Sequence, residues 1–412
     1  MMYTVKKALS ALALTLTASQ VYAQFEGNGY VTQSGLKILP ILDSRIEHND
    51  NVGRYSDAES PESSTVFVIE PGIAFQSDRG GNTYQIAYQI SSGLYTDSSD
   101  DNYVDHKIST NNSIILNSRN ALSLNYAYLF LHEERGTGIL AGDSLSTIAS
   151  GPVEYAVNDA SIVHAFGSDE AKGRIETTLR LQDRKYHNYR DIQDPRFSQV
   201  STRFKDYFEY GGGVAFYWRA FPATSLLFEI DASKRAYDLN DPVTNNSQDS
   251  VDIFYLTGAT WDITGKTTGK LRFGLQDKSY DDVTRDDFSG FSWDLELVWE
   301  PLNYSKVTVS AAQRARDPDQ GSNYVDETSF DGAWKHYWLS HLFTQTSLRF
   351  ILDDYSESPR TDDLFKVDLS IGYELRDHVE INAGWRLEDN DSSVVGNSYD
   401  QNVIYFSANM LF

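Results

Sequence analysis

Phe365-Lys366-Val367-Asp368-Leu369-Ser370-Ile371-Gly372-Tyr373-Glu374-Leu375 is the stretch whose reading decides the fold. Apolar side chains occupy every second position and polar or small ones fill the gaps. That period of two belongs to a strand with two unlike faces, not to a helix. One face carries Lys366, Asp368 and Glu374.

Working outward, the pattern returns again and again. Leu271, Phe273 and Leu275 alternate with Lys270, Arg272, Gly274 and Gln276. Phe291, Trp293, Leu295, Leu297 and Trp299 alternate with Ser292, Asp294, Glu296 and Val298. Ile381, Ala383, Trp385 and Leu387 alternate with Glu380, Asn382, Gly384, Arg386 and Glu388. Eighteen strands are expected, with sixteen as the alternative: near 37–46, 65–77, 83–96, 103–116, 121–133, 153–166, 173–184, 207–218, 224–237, 250–263, 268–280, 288–299, 306–316, 324–338, 343–355, 363–375, 379–388 and 399–412.

The connections separate a membrane barrel from a soluble sandwich. Short ones such as Asp78–Asn82, Asn117–Asn120, Thr264–Thr267 and Arg376–His378 alternate with long ones near 47–64, 134–152, 185–206, 238–249, 317–323 and 389–398. Short turns at one end and long loops at the other are the asymmetry of outer-membrane barrels. Aromatic residues follow the same division. Trp218, Trp261, Trp299 and Trp338 precede short turns, whereas Tyr95, Tyr103, Tyr186, Tyr207, Tyr237, Tyr280, Tyr324, Tyr355 and Tyr399 flank long loops. Amphipathic rings prefer headgroup depth, so the expectation is two lipid-facing bands, one at each interface. The fold class is therefore all-β: a transmembrane, antiparallel, up-and-down β-barrel.

Composition agrees. The 412 residues carry a net charge of −24, which argues against a nucleic-acid binder. With no cysteine, disulfide frameworks, Cys-ligated zinc and thiol catalysis are excluded. Aromatics make up 13%, with 26 Tyr, while hydrophobic residues reach only 40%, as expected when every second strand residue faces water. Beyond the N-terminus no apolar run is long enough for a membrane helix.

Lys6 and Lys7, the apolar run Ala8–Ala18 and Val21-Tyr22-Ala23 read as a cleaved secretory signal peptide over residues 1–23. Residues 24–36 read as a short periplasmic lead and 37–412 as the barrel, placed in the bacterial outer membrane. No plug-sized or passenger region is expected. At the far end Phe406, Met410 and Phe412 continue an alternating run with Ile404 and Ala408. They are expected to form the signal read by the barrel-assembly machinery. Closure itself is required, because an unpaired sheet edge is not tolerated in lipid.

Motifs for chemistry are scarce. Gly265-Lys266-Thr267 resembles the end of a phosphate loop, but Thr260 stands where its first Gly belongs. His132-Glu133-Glu134-Arg135 is not a zinc-protease motif, and there is no G-x-S-x-G elbow. The eight histidines show no paired signature. Acidic clusters at Asp97, Asp100 and Asp101, at Asp281, Asp282, Asp286 and Asp287, and at Asp389 and Asp391 match no calcium loop and read as a solvated rim. No catalytic residue, metal or cofactor is expected, and the chain is read as a non-enzyme.

The inward face is the informative one. The strand registers turn Arg180, Arg272, Arg314 and Arg349 inward, together with Asp294, Glu296, Asp353 and Asp368. Charges facing lipid at mid-depth cost ~2–4 kcal/mol each for Arg or Lys, so their sharing one face implies a wet lumen. These eight residues are the lumen-lining candidates.

Pro40-Ile41-Leu42, His48-Asn49-Asp50-Asn51-Val52, Asp105-His106, Arg184–Asp191, the Trp299-Glu300-Pro301 turn and the terminal Phe412 carry a family resemblance. The mature chain resembles the β-barrel porin family associated with exopolysaccharide biosynthesis clusters. The resemblance implies an outer-membrane barrel that supports passage or export of a surface polysaccharide. It supplies no ligand residue. A general or solute-selective diffusion porin is the alternative, and a barrel hydrolase is a third reading. Expected partners are outer-membrane lipid and lipopolysaccharide, the barrel-assembly machinery, a polysaccharide and periplasmic export components.

Overall fold

Strand after strand pairs with its sequence neighbour, and the last pairs with the first. The computed structural model describes residues 29–411 apart from 169, 264, 377 and 395. Of its nineteen strands, Tyr30–Val31 is a two-residue piece. The others are β1 Leu36–Asn49, β2 Ser64–Arg79, β3 Asn82–Tyr95, β4 Tyr103–Asn117, β5 Asn120–Glu133, β6 Val153–Phe166, β7 Gly173–Tyr186, β8 Tyr207–Phe221, β9 Thr224–Tyr237, β10 Ser250–Ile263, β11 Thr267–Tyr280, β12 Phe288–Leu302, β13 Ser305–Arg316, β14 Val325–Tyr337, β15 Leu342–Tyr355, β16 Thr361–Arg376, β17 Val379–Ser392 and β18 Tyr399–Leu411.

Closure is made by β18 against β1, antiparallel, from Val403 opposite Asn49 to Leu411 opposite Ile41. Tyr30 and Val31 pair with Ile38 and Lys37 on the part of β1 that β18 does not reach. This removes the open edge that lipid forbids. The barrel has eighteen strands, not sixteen. Several strands outrun their expected ends, two of them at the outer rim by three or more residues. β1 reaches Asn49 and β17 reaches Ser392, because backbone pairing at the rim does not require apolar side chains. The signal-peptide segment, the start of the lead and Phe412 lie outside the described residues.

Nine connections lie at the outer end: 50–63, 96–102, 134–152, 187–206, 238–249, 281–287, 317–324, 356–360 and 393–398. The opposite end holds 80–81, 118–119, 167–172, 222–223, 264–266, 303–304, 338–341 and 377–378. The asymmetry is real but not strict, since 167–172 is longer than 356–360.

Directly opposed residues share a face. Leu271 opposes Ala259 and Leu295, while Arg272 opposes Gly258 and Asp294. Leu271 is 36% exposed on the outer surface and Arg272 only 5% inside. Outward residues such as Leu179, Phe273, Phe291, Ile371 and Phe406 are exposed apolar groups, which is the condition for solvation by lipid.

The aromatic bands need a correction. Trp218, Trp299 and Trp338 do stand exposed on the outside near the short turns. The tyrosines do not mirror them. Tyr186, Tyr207, Tyr280 and Tyr355 are buried on the lumen side. Tyr95, Tyr103, Tyr237 and Tyr399 share their inward register, opposite or in step with Val66, Asp105, Tyr207 and Gln401. Tyr324 lies in a loop. The physical reason is that these rings serve cations rather than headgroups. The guanidinium of Arg235 lies 4.3 Å from the Tyr207 ring centroid, Arg360 lies 4.2 Å from Tyr355 and Arg285 lies 3.7 Å from Tyr280.

Candidate functional site: the lumen and its outer mouth

The wall from β7 to β17 is built from charge pairs between neighbouring or near-neighbouring strands. Arg272 on β11 donates through Nη1 to both oxygens of Glu229 at 3.1 Å and through Nε to both oxygens of Asp294 at 3.0 Å. Arg180 on β7 meets Asp231 on β9 at 2.5 Å, and Arg316 on β13 joins Glu327 and Asp353 at 2.7 and 2.5 Å. Arg349 pairs with Asp331. Arg386 meets Asp368 at 3.3 Å, and the Tyr405 hydroxyl donates to the same carboxylate at 2.8 Å. Charge-assisted bonds of this kind fix the heads of long side chains, so the wall holds its donors in place.

At the outer end the lumen is not simply wet. The loop 134–152 folds inward instead of out into solvent. Its Ile139, Leu140, Leu145 and Ala149 pack on inward Ala127, Leu129, Tyr155 and Val157, and Ile192 of the loop 187–206 joins them. This small apolar core narrows the mouth. Four apolar residues in a Gly-rich loop are the sequence signal for it: a solvated loop has no reason to carry them.

Arginines pin the same loop. Arg54, from the loop 50–63, sits between Glu388 of β17 at 3.1 Å and Glu134. Arg135 reaches Asp101 at 2.6 Å, Glu62 at 2.7 Å and the Tyr55 hydroxyl at 3.1 Å. Asp143 accepts from the Ser56 amide and hydroxyl at 2.9 and 2.6 Å, and its own N–H donates to the Gly396 carbonyl at 2.8 Å. From the facing side, Gln320 donates to the Ile139 carbonyl at 2.5 Å. Gly136 has φ of 80°, and a Cβ there would stand 2.3 Å from the Gly53 carbonyl oxygen, so only glycine permits this approach. The Arg54 guanidinium holds the Glu134 carboxyl below its ordinary range, against burial and the nearby Glu388. Farther round the rim, Asp317 is buried between Lys278 at 3.0 Å and Arg235 at 2.8 Å. Burial opposes its ionisation, but Lys278 and Arg235 prevail and keep it charged.

All eight lumen candidates lie on inward registers. The structure brings Arg272 together with Asp294, and Asp353 with Arg316. Arg180, Arg349 and Asp368 pair with Asp231, Asp331 and Arg386, which lie outside those eight. Arg314 stands opposite Glu327 and Glu296 opposite Lys270. Phe406 and Met410 belong to β18, Phe406 exposed to the outside. Sequence reasoning missed Arg54 and Arg135, because loop residues carry no period. It also missed inward Lys278, whose parity with Arg272 was readable.

One histidine does have an acid partner. His132 Nδ1 lies 2.9 Å from Asp105 Oδ1 and its ring stacks on Tyr103. The hydroxyl across from Asp105 is Ser91, and it donates to Glu70 at 2.5 Å rather than to His132. The arrangement therefore lacks an activated nucleophile. Among the described residues no group of acids and histidines is disposed to hold a metal.

A closed antiparallel barrel with an apolar exterior and a charged interior defines a porin-like outer-membrane β-barrel, a fold that belongs in the bacterial outer membrane. Residues 36–411 match the family described as putative beta-barrel porin 2, and the chain belongs to that family. No curated protein matches the sequence. Among solved structures the chain is similar to OccK3 (OpdO) of Pseudomonas aeruginosa, at 13% identity and a TM-score of 0.46, over 91% of this chain and 96% of that one. It is also similar to OpdK of the same organism, solved with vanillate, at 10% identity and a TM-score of 0.47, over 91% and 99% of the two chains. A point mutant of the ferric enterobactin receptor PfeA of that organism aligns at 8% identity and a TM-score of 0.44, over 91% and 80%.

Proposed function

We propose that this barrel carries a hydroxyl-rich surface polysaccharide across the outer membrane, with the loop 134–152 as the element that narrows its outer mouth. The observation that supports the reading is the interior: inward tyrosines and paired arginine and carboxylate groups present fixed donors and acceptors to a solute. Hydroxyls can satisfy either kind of group, so a sugar chain can pass without a desolvated charge of its own. The chain enters the periplasm through a cleaved N-terminal signal and is inserted by the barrel-assembly machinery. Periplasmic export components deliver the polymer, since the barrel holds no energy-coupling motif.

The test pairs cells with purified protein. Removing the gene product should lower surface polysaccharide yield, and the intact barrel should restore it. Unchanged yield would refute the reading. A solute-selective diffusion porin is the second reading, favoured by the inward loop. It predicts normal polymer yield with impaired uptake of small solutes.

A further inference from the structure

The lumen wall is not uniform around its circumference. From β7 to β17 it is a lattice of paired charges. From β2 to β6 the transverse row that begins at Gln76 runs through Gln85, Asn111, Asn125 and Ser161, each directly opposite the next. The row beneath it holds Thr83, Ser113 and Ser123. Every one of these side chains is neutral and polar. Asp78 closes one end, accepting from Gln76 and Thr83 at 2.8 Å each, and Arg180 stands opposite Ser161 at the other.

The two walls differ in what they offer. On the charged side Arg272 and Arg180 are held by carboxylates, with Arg180 Nη1 left over. Along the neutral row Gln85 is 6% exposed and its Nε2 likewise has no hydrogen-bond partner among the described residues. Burying an amide donor without a partner is costly, so such a group points to something that satisfies it. The side chains of Asn111, Ser113 and Ser123 are half-buried and face the same space.

We infer that this amide and hydroxyl face is a binding track for uncharged sugar residues. An amide offers a donor and an acceptor side by side, which is what a pair of neighbouring sugar hydroxyls requires. A carboxylate only accepts and a guanidinium only donates, so the charged wall needs two groups where one amide serves. The row also climbs. Gln85 stands near the start of β3, Arg180 is midway along β7, and Asp252 in the continuing row is near the outer end of β10. A chain following it moves from the periplasmic end toward the mouth. This inference rests on the polysaccharide-passage reading and names the sugar chemistry that the passage takes.

The test uses the full barrel in a planar bilayer. Maltoheptaose, a neutral glucan, is added on the short-turn side, with an oligogalacturonate of equal length as the charged comparator. Maltoheptaose should produce resolved blockades, and the double variant Gln85→Leu/Asn111→Leu should shorten them about tenfold, the loss of one to two hydrogen bonds. Asn111→Gln, which keeps the amide, should retain most of the residence time. Open-channel conductance and heat-modifiable migration should stay as in the parent, which shows that the variants fold. Equal blockades in parent and double variant, no blockade in the parent, or longer blockades by oligogalacturonate would each overturn the track. Polymer yield is scored separately. Lost blockades with normal yield in cells lacking the barrel leave the track standing and refute passage. Unchanged blockades with lost yield do the reverse.

Discussion

Arg54 and Arg272 make an instructive pair. Each has a side chain only 6% exposed, and each lies between two carboxylates. Their surroundings differ in one respect. Arg272 joins β11 to β9 and β12, so all its partners belong to the wall. Arg54 joins one wall residue, Glu388, to one loop residue, Glu134. The first arrangement stiffens a surface, and the second fastens a movable segment to it. Burial and partner number alone would have scored the two alike.

The largest effect expected concerns the wall itself. Leu271→Arg puts a charge in lipid beside a residue that already points the other way, at a cost of ~2–4 kcal/mol near mid-depth. It should abolish the heat-modifiable folded band on gels. Arg272→Leu should keep that band, because Glu229 and Asp294 face the lumen, where water or a proton can reach them. A folded Leu271→Arg together with an unfolded Arg272→Leu would reverse the two faces, as a one-residue register slip does.

The second effect belongs to the latch. Arg54→Ala and Arg135→Ala together remove the ion pairs that tie residues 134 and 135 to the loops 50–63 and 96–102 and to β17. Freed of them, the loop should spend time outside the mouth, and single-channel conductance should rise by at least about twofold with larger fluctuations. Conductance equal to the parent's would mean that the apolar packing of Ile139, Leu140 and Leu145 holds the loop by itself.

These two arginines also show what a sequence can and cannot disclose. Arg272 sits in an alternating strand, so its face follows from its neighbours Leu271 and Phe273. Arg54 sits among Asn51, Gly53 and Ser56, where no period exists and the partners at positions 134 and 388 are far off in the chain. The tyrosines fall between the two cases. Tyr207 shares its parity with inward Glu209, while exposed Phe208 and Tyr210 lie on the other face. Its position near a strand end suggested a headgroup band, but parity argued for the lumen, and parity is the stronger constraint. The neutral rows were legible residue by residue in β3 to β6. Their alignment was not, because that depends on register between strands.

A third, smaller effect separates the latch from the wall by pH. Arg54 holds the pKa of Glu134 below the ordinary value of 4.5, with His132 acting in the same direction and with burial and Glu388 opposing. A depressed carboxylate contributes its linkage fully above its unperturbed value and loses it as pH falls through the lowered one. The loop should therefore stay closed from pH 7 to about pH 4.5, with conductance rising only below that. A conductance step between pH 7 and pH 5 would assign the closure to a different group.

The smallest effect is a graded one within the wall. Neutralising Arg180, Arg272, Arg314 and Arg349 should shift ion selectivity toward cations, since each loss leaves carboxylate charge uncompensated on the conducting surface. The four should not contribute equally. The Arg349 side chain is 34% exposed and its partner Asp331 is 24% exposed, so the freed carboxylate stays hydrated and ionised. Arg272 and its partner Glu229 are each only 6% exposed. Without the shared cation, buried Glu229 is left as a second negative charge beside Asp294, which is 24% exposed, and it is the buried acid of the two that should take up a proton. Arg349→Gln should accordingly move the reversal potential more than Arg272→Gln, although Arg272 has two carboxylate partners and Arg349 one. The measurement is reversal potential across a tenfold salt gradient, repeated at two values of pH. For Arg272→Gln the shift should grow as pH rises and the extra proton is lost, while for Arg349→Gln it should stay flat over the same range. Equal, pH-independent shifts for the two variants would show that both arginines face the same open water, and that the buried lattice is loose enough to admit it.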